Sequence, residues 1–193
     1  VVMPRAELAL NIFEPRYLNM VNDALATHHM FGMVQPNSGL QDEPVSIYRT
    51  GCAGRITSYS ETADGRILLS LTGVCRFDIA QELPGIRGYR VVVPNWQRFL
   101  PDMAMPAGDN RVERDSLLGL LRGYFDAKAL KADWALLEQL STLQLVHSMT
   151  VLLPLEAEEK QTILEAVEAS GRAEALCSAL QFGLSEATNR SRH

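Results

Sequence analysis

The chain has 193 residues, 47% of them apolar and 21% charged, with a formal net charge of −5. That is the balance of an ordinary folded chain with room for one large domain or two small ones, and no apolar run nears the roughly 18 residues a membrane span requires. The lysines, Lys128, Lys131 and Lys160, follow Ala127, Leu130 and Glu159; a phosphate-gripping Gly-Lys-Ser/Thr loop is therefore excluded.

The opening Val1-Val2-Met3-Pro4-Arg5 has no basic segment leading into a long apolar one, so no secretory leader is read there. The chain does not begin with Met, which implies that leading residues are missing. Short strand-like segments follow: Ala6 to Phe13, Met30 to Gln35, Val45 to Tyr48, Gly54 to Ser60, Arg66 to Leu71, Cys75 to Ala80 and Tyr89 to Pro94. Between the first two, Pro15 sits where a helix admits proline at its first position. Tyr17, Leu18, Val21, Ala24 and Leu25 then recur at helical spacing, predicting a helix over 15–28 with Glu14 at its positive end. Asp64-Gly65 supplies the positive φ of a hairpin turn. Gly73 predicts a bulge or sharp bend. Many short strands broken in this way favour a small barrel.

The period changes after Pro101. Residues 101–110 carry two Pro, one Gly and two Asp and read as a linker. Apolar stripes over Leu117 to Phe125 and Trp134 to Leu140 then predict helices, the second after an Asp133 cap. Ser141-Thr142-Leu143-Gln144 has the form of a capping box. A helix from there stops at Pro154, another runs from Glu156 to Ser170 with Gly171 as its stop, and a last one carries Leu176, Leu180 and Leu184 before a polar tail from Thr188. The expected class is α+β: a barrel over 1–100, a linker over 101–110 and a helical bundle over 111–193.

Candidate chemistry is sparse. Adjacent His28 and His29 diverge on a helix end and lack a second ligand at metal spacing. His147 beside Ser148 reads as a structural histidine in an apolar helix, since a base must reach its nucleophile across space; His193 belongs to the tail. The three cysteines, Cys52, Cys75 and Cys177, form no Cys-x-x-Cys pair and read as free thiols of a reducing cytoplasm. Cys52 and Cys75 are expected to approach each other across the hairpin. Glu156, Glu158 and Glu159 read as a solvated first turn. No metal, cofactor or catalytic set is expected. The first hundred residues hold nine basic and nine acidic side chains, and the acidic excess lies beyond them. This disfavours a polyanion, although Arg49, Arg55, Arg66, Arg76, Arg87, Arg90 and Arg98 would offer RNA a positive face if the strands aligned them.

The order of motifs resembles the Lon protease N-terminal, substrate-binding domain. The residues that carry the likeness are Met3 to Tyr17, with Ile12-Phe13-Glu14-Pro15-Arg16-Tyr17 the most specific stretch, then Met20-Val21 and Phe31-Gly32-Met33-Val34. Gly51-Cys52-Ala53-Gly54-Arg55-Ile56, Asp64-Gly65-Arg66, Leu71 to Phe77, Leu152-Leu153-Pro154 and Glu159-Lys160-Gln161 continue it. Such proteins have a PUA-like β-barrel followed by a helical bundle. In the full protease this region precedes an ATPase module and a Ser-Lys peptidase, and contributes to substrate engagement and self-association. Family members usually start with a further strand before the equivalent of Val1, which again implies a missing front.

The resemblance implies a stand-alone form without either catalytic module: a cytoplasmic, non-enzymatic module for exposed apolar polypeptide segments, working alone or as an adaptor for a separate protease. A peptide has two routes onto such a domain, addition to an open sheet edge or side chains held in an apolar groove. Phe31, Met33, Tyr59, Trp96 and Phe99 are the candidate contacts, being large and apolar near predicted strand ends, although Trp96 and Phe99 also suit packing between barrel and helices. Glu14, Arg16 and Tyr17 are expected to be structural. RNA binding is the alternative, and an unrecognised hydrolase using Ser148 with His147 or a cysteine is a third.

Overall fold

The computed structural model describes residues 1–37, 45–85, 87–104 and 111–190. The chain divides into two compact units, Val1–Met105 and Pro106–His193.

The first unit is built on five strands, β1 (Glu7–Ile12), β2 (Met30–Met33), β3 (Thr50–Glu61), β4 (Ile67–Leu83) and β5 (Val91–Asn95), with helix α1 (Pro15–Leu25) between β1 and β2. All pairings are antiparallel, in the order β1-β4-β3-β2, and β5 pairs with the far end of β4. The described pairings are those of an open sheet. β1 and β2 end the path and no described pairing joins them, so closure into the expected barrel is not among its features.

Two segments read separately, Arg66 to Leu71 and Cys75 to Ala80, are one strand. β4 runs through Gly73 because the break is absorbed locally: Gly54 pairs with Gly73 while Ala53 pairs with Cys75, which leaves Val74 as the extra residue of a bulge. Gly73 itself is demanded by close approach, since a Cβ there would lie 2.0 Å from the Met3 carbonyl oxygen. The Asp64-Gly65 turn forms as expected, with Gly65 at φ 79°. Val45 to Tyr48 is not a strand. It contributes a bridge from Ile47 to Pro36, with Asn37 N–H bonded to the Ser46 carbonyl and Tyr48 N–H to that of Gln35.

The core of this unit holds a charge pair. Arg76 on β4 and Asp102 are both buried, and the guanidinium meets the carboxylate through Nε to Oδ2 at 2.8 Å and Nη2 to Oδ1 at 2.7 Å. The Arg76 backbone N–H donates to the same Oδ2 at 3.1 Å. Asp102 lies in a 3₁₀ helix, Gln97–Met103, and Phe99 from that helix stacks on the Arg76 guanidinium at 4.4 Å and on that of Arg98 at 4.8 Å. Pro101 to Met103, expected in a linker, thus belong to an element tied to the sheet; residues 105–110 of that linker lie outside the described ones.

The second unit is helical: α2 (Arg111–Ala127), α3 (Trp134–Leu137), α4 (Thr142–Leu152), α5 (Ala157–Glu165) and α6 (Ala169–Arg190). Asp133 caps α3 by accepting from Leu136 N–H, and the Ser141/Gln144 capping box opens α4. Leu117, Leu121, Leu145, Met149, Ile163, Leu164, Leu176 and Leu180 fill the interior. Two boundaries differ from the expected ones. α5 ends at Glu165 because Arg172, from the first turn of α6, donates Nη1 to the carbonyls of Ala166 and Val167 at 3.0 and 2.6 Å. Those bonds stabilise a chain break that no local glycine marks, and Gly171 lies inside α6. That helix continues through Thr188 to Arg190, where a polar tail was expected; His193 lies outside the described residues.

Removing one partner of a buried ion pair strands the other in low dielectric. Asp102→Ala is expected to cost about 3–5 kcal/mol of stability, measured by urea denaturation of the whole chain. A loss below about 1 kcal/mol would show that Arg76 finds water instead.

Candidate functional site

One groove of about 530 Å³ opens on the first unit, over three successive rungs of the sheet. The pairing register places Ala9, Ser70 and Ser58 in one rung, Leu10, Leu69 and Tyr59 in the next, and Asn11, Leu68 and Ser60 in the third. Two of the three rungs carry mostly small polar side chains, and this is why the surface dips. A second bulge, between Ile56 and Ser58, leaves Thr57 outside the ladder. Its hydroxyl compensates with bonds to the Ser70 carbonyl and the Thr72 hydroxyl, both at 3.3 Å.

Large apolar side chains lie beside this dip. Leu68, 45% exposed, and Phe13, immediately after β1 and 60% exposed, share the face of Ala9 and Asn11, whereas Tyr59, 55% exposed, belongs to the rung of Leu10 and Leu69 that alternates with it. Across the ladder from Phe13, Arg66 places its guanidinium 5.8 Å from the ring while its Nε pairs with Asp64 at 2.8 Å. The site is therefore an apolar-edged, weakly charged groove, with no group of three or more potential metal ligands among the described residues.

Of the five expected contact residues, Tyr59 alone lines the groove. Met33 is half-buried at the end of β2. Trp96 is 37% exposed, with its ring edge-on to Phe77 at 5.5 Å. Phe31 is buried, and Phe99, at 0% exposure, is enclosed by the two guanidinium groups. Burial removes Phe31 and Phe99 from any accessible surface in this conformation. The sequence analysis missed Phe13 and Leu68, yet a signal was present. Leu8, Leu10 and Ile12 alternate on one face of β1, as Ile67, Leu69 and Leu71 do on β4, and Phe13 and Leu68 fall out of phase with them.

The remaining candidates take structural places. Glu14 accepts from Arg16 Nε at 2.9 Å, and its carbonyl receives the N–H groups of Tyr17 and Leu18. His28 and His29 are exposed and His147 is buried in α4. The arginines offered as an RNA face are largely committed: Arg66 to Asp64, Arg76 to Asp102, Arg87 to Asp23, Arg90 to Glu82 and Arg98 to Asp78. Arg49 donates to the Ile79 carbonyl at 3.1 Å. Five of the seven guanidinium charges are therefore already met by carboxylates.

With the geometry in hand, comparison with known proteins is decisive at the family level. The model of the ATP-dependent protease La (LON) substrate-binding domain matches residues 1–181. The chain belongs to the Lon substrate-binding domain family. Lon protease 1 of Hydrogenovibrio crunogenus is 24% identical over 90% of this chain, which spans 22% of that protein's length. The Lon N-terminal domain protein of Xanthomonas campestris shares the fold with a TM-score of 0.65 at 23% identity, covering 92% of both chains. The N-terminal domain of the Mycobacterium avium complex Lon protease does so with a TM-score of 0.61 at 15% identity, over 94% of this chain and 92% of that one. Among the described residues no helix is long and apolar enough to cross a membrane.

Cys52 and Cys75 lie in the sheet core rather than in the groove, and Cys177 lies in α6. Cys52 and Cys75 occupy adjacent rungs of β3 and β4, and both are buried. Burial, then the nearby Asp102 carboxylate, raises both thiols: Cys75 is pushed up to about 11 and Cys52 further still. Both remain protonated at pH 8, and only the thiolate is nucleophilic. Iodoacetamide at that pH is expected to label the partly exposed Cys177 first and to reach Cys52 and Cys75 only after unfolding, as read by mass spectrometry. Rapid labelling of Cys52 in the folded chain would contradict this.

Proposed function

We propose that this chain is a non-enzymatic polypeptide-binding module of the Lon type, and that it holds exposed apolar segments of client chains against the β1-β4-β3 groove. The observation that carries the reading is exposed Leu68, with Phe13, on the face of small polar side chains that the groove follows, Tyr59 of the intervening rung also lining it, on a member of a substrate-binding family. A groove of this kind offers apolar area without a fixed pattern of charges, which suits clients of varied sequence. In this reading the curled sheet is the wall of a PUA-like barrel, Phe31 and Phe99 support it from beneath, and self-association or delivery of clients to a separate protease are further uses of the same module. The commitment of most first-unit arginines to carboxylates favours polypeptide over RNA.

The test is fluorescence anisotropy of a labelled, permanently unfolded polypeptide titrated with the protein, without ATP, at low and high salt. Saturable binding near ~1 μM, about −8 kcal/mol, that persists in high salt is expected. Tyr59→Ala and Leu68→Ser should each weaken it by about 1–2 kcal/mol while the thermal melt is unchanged. No binding at ~100 μM, or binding that collapses with salt as counterion release requires of a polyanion site, would overturn the reading.

A further inference from the structure

We infer that the client adds to the sheet as an extra strand along the free edge of β1, hydrogen-bonded to the backbone of Glu7, Ala9 and Asn11; this rests on the polypeptide-binding reading and specifies its geometry. The Gly73 N–H donates to the Ala6 carbonyl at 2.9 Å while the Ala6 N–H turns back to the Met3 carbonyl at 3.0 Å, and the Ser70 carbonyl points to β3, where it accepts from the Thr57 hydroxyl at 3.3 Å. The register continues Glu7 with Thr72 through Ile12 with Ile67 without interruption. Hydrogen-bonded and non-hydrogen-bonded pairs alternate along an antiparallel ladder. Leu8, Leu10 and Ile12 therefore exchange backbone bonds with β4, and the N–H and C=O groups of Glu7, Ala9 and Asn11 point the other way. Among the described residues β1 pairs with β4 alone.

The other sheet edges are poorer templates. β2 has four residues, one of them Gly32, β5 has five, including Pro94, which has no N–H to offer, and the part of β3 beyond its β2 pairing, Ile56 to Glu61, is broken by the Thr57 bulge. β1 has six residues with no proline, glycine or lysine, and its one charged side chain, Glu7, stands at the start of the strand. Its outward donors and acceptors recur at every second residue over about 14 Å. Only an extended polypeptide backbone presents complementary groups at that spacing, and this names the occupant.

The same edge leads into the groove. A client residue opposite Ala9 extends the Ala9, Ser70, Ser58 rung, and one opposite Asn11 extends the Asn11, Leu68, Ser60 rung. Client residues two apart thus project toward Leu68 and Phe13, while those between face the side of Leu10. The favoured client is a segment with apolar residues at alternate positions and no proline among those bonded to β1.

The experiment uses a labelled peptide of about nine residues, Val alternating with Ser, unmodified or N-methylated on one or the other set of alternate amides. The alternation locks the register, because a one-residue slip would turn every Val to the wrong face. One methylated set should lose about tenfold or more in affinity, and the other should stay within about twofold. On the protein, Ala9→Pro removes an outward N–H that makes no bond to β4; it should keep the wild-type melt yet weaken the unmodified peptide by about tenfold. Equal affinity of both methylated sets, or unchanged affinity in a folded Ala9→Pro variant, would overturn strand addition while leaving polypeptide binding intact. Failure of wild type to bind either this peptide or the unfolded polypeptide would overturn both readings. A wild-type dimer in sedimentation that Ala9→Pro dissolves, with no peptide binding, would assign the edge to a second copy of the chain instead.

Discussion

The buried Arg76–Asp102 pair is the constraint on which the first unit depends. A guanidinium inside a sheet core is tolerated only when its charge is matched and its donors are used, and the bidentate carboxylate with the Phe99 ring against its face meets both needs. The same Asp102 carboxylate also receives the Arg76 backbone N–H beside the Val74 bulge, so it serves the irregular part of the ladder as well as the charge. Through this contact the 3₁₀ helix that closes the unit is bound to the middle of its longest strand. The surrounding Cys52 and Cys75 thiols are held protonated by burial and by that carboxylate, which keeps the interior chemically quiet.

With the centre held in this way, the proposed site falls on the outer strand and its neighbours. The groove exists because the β1-β4-β3 rungs put small side chains where a covered sheet would carry large ones, and because Thr57 steps out of the ladder just before Ser58. Peptide engagement at such a place needs neither a metal nor a nucleophile. It needs a rigid row of backbone partners and apolar area beside it, which is consistent with a family defined by substrate binding.

Much of the secondary structure was legible from residue types with strong local preferences. Pro15 placed the start of α1, Asp64-Gly65 the hairpin, Gly73 the irregularity in β4, and Ser141 with Gln144 the start of α4. Features that rest on partners distant in sequence were not legible. Arg172 ends α5 from six residues away, and Asp102, read as part of a polar linker, meets its partner 26 residues back. Phe99, offered as a contact although packing also suited it, could not be assigned for the same reason: a ring looks alike in sequence whether it faces solvent or is enclosed by guanidinium groups. Phe13 and Leu68 were legible in principle, through their phase against their own strands.

The sequence alone settled the family likeness and the change from strand to helix period, because each depends on residue identity or on short-range spacing. Folding in three dimensions settled which apolar side chains remain exposed, which arginines are already matched by carboxylates, and which backbone groups of β1 lack a partner strand among the described residues. Those outcomes depend on register and on contacts tens of residues apart, and local preference carries no information about either.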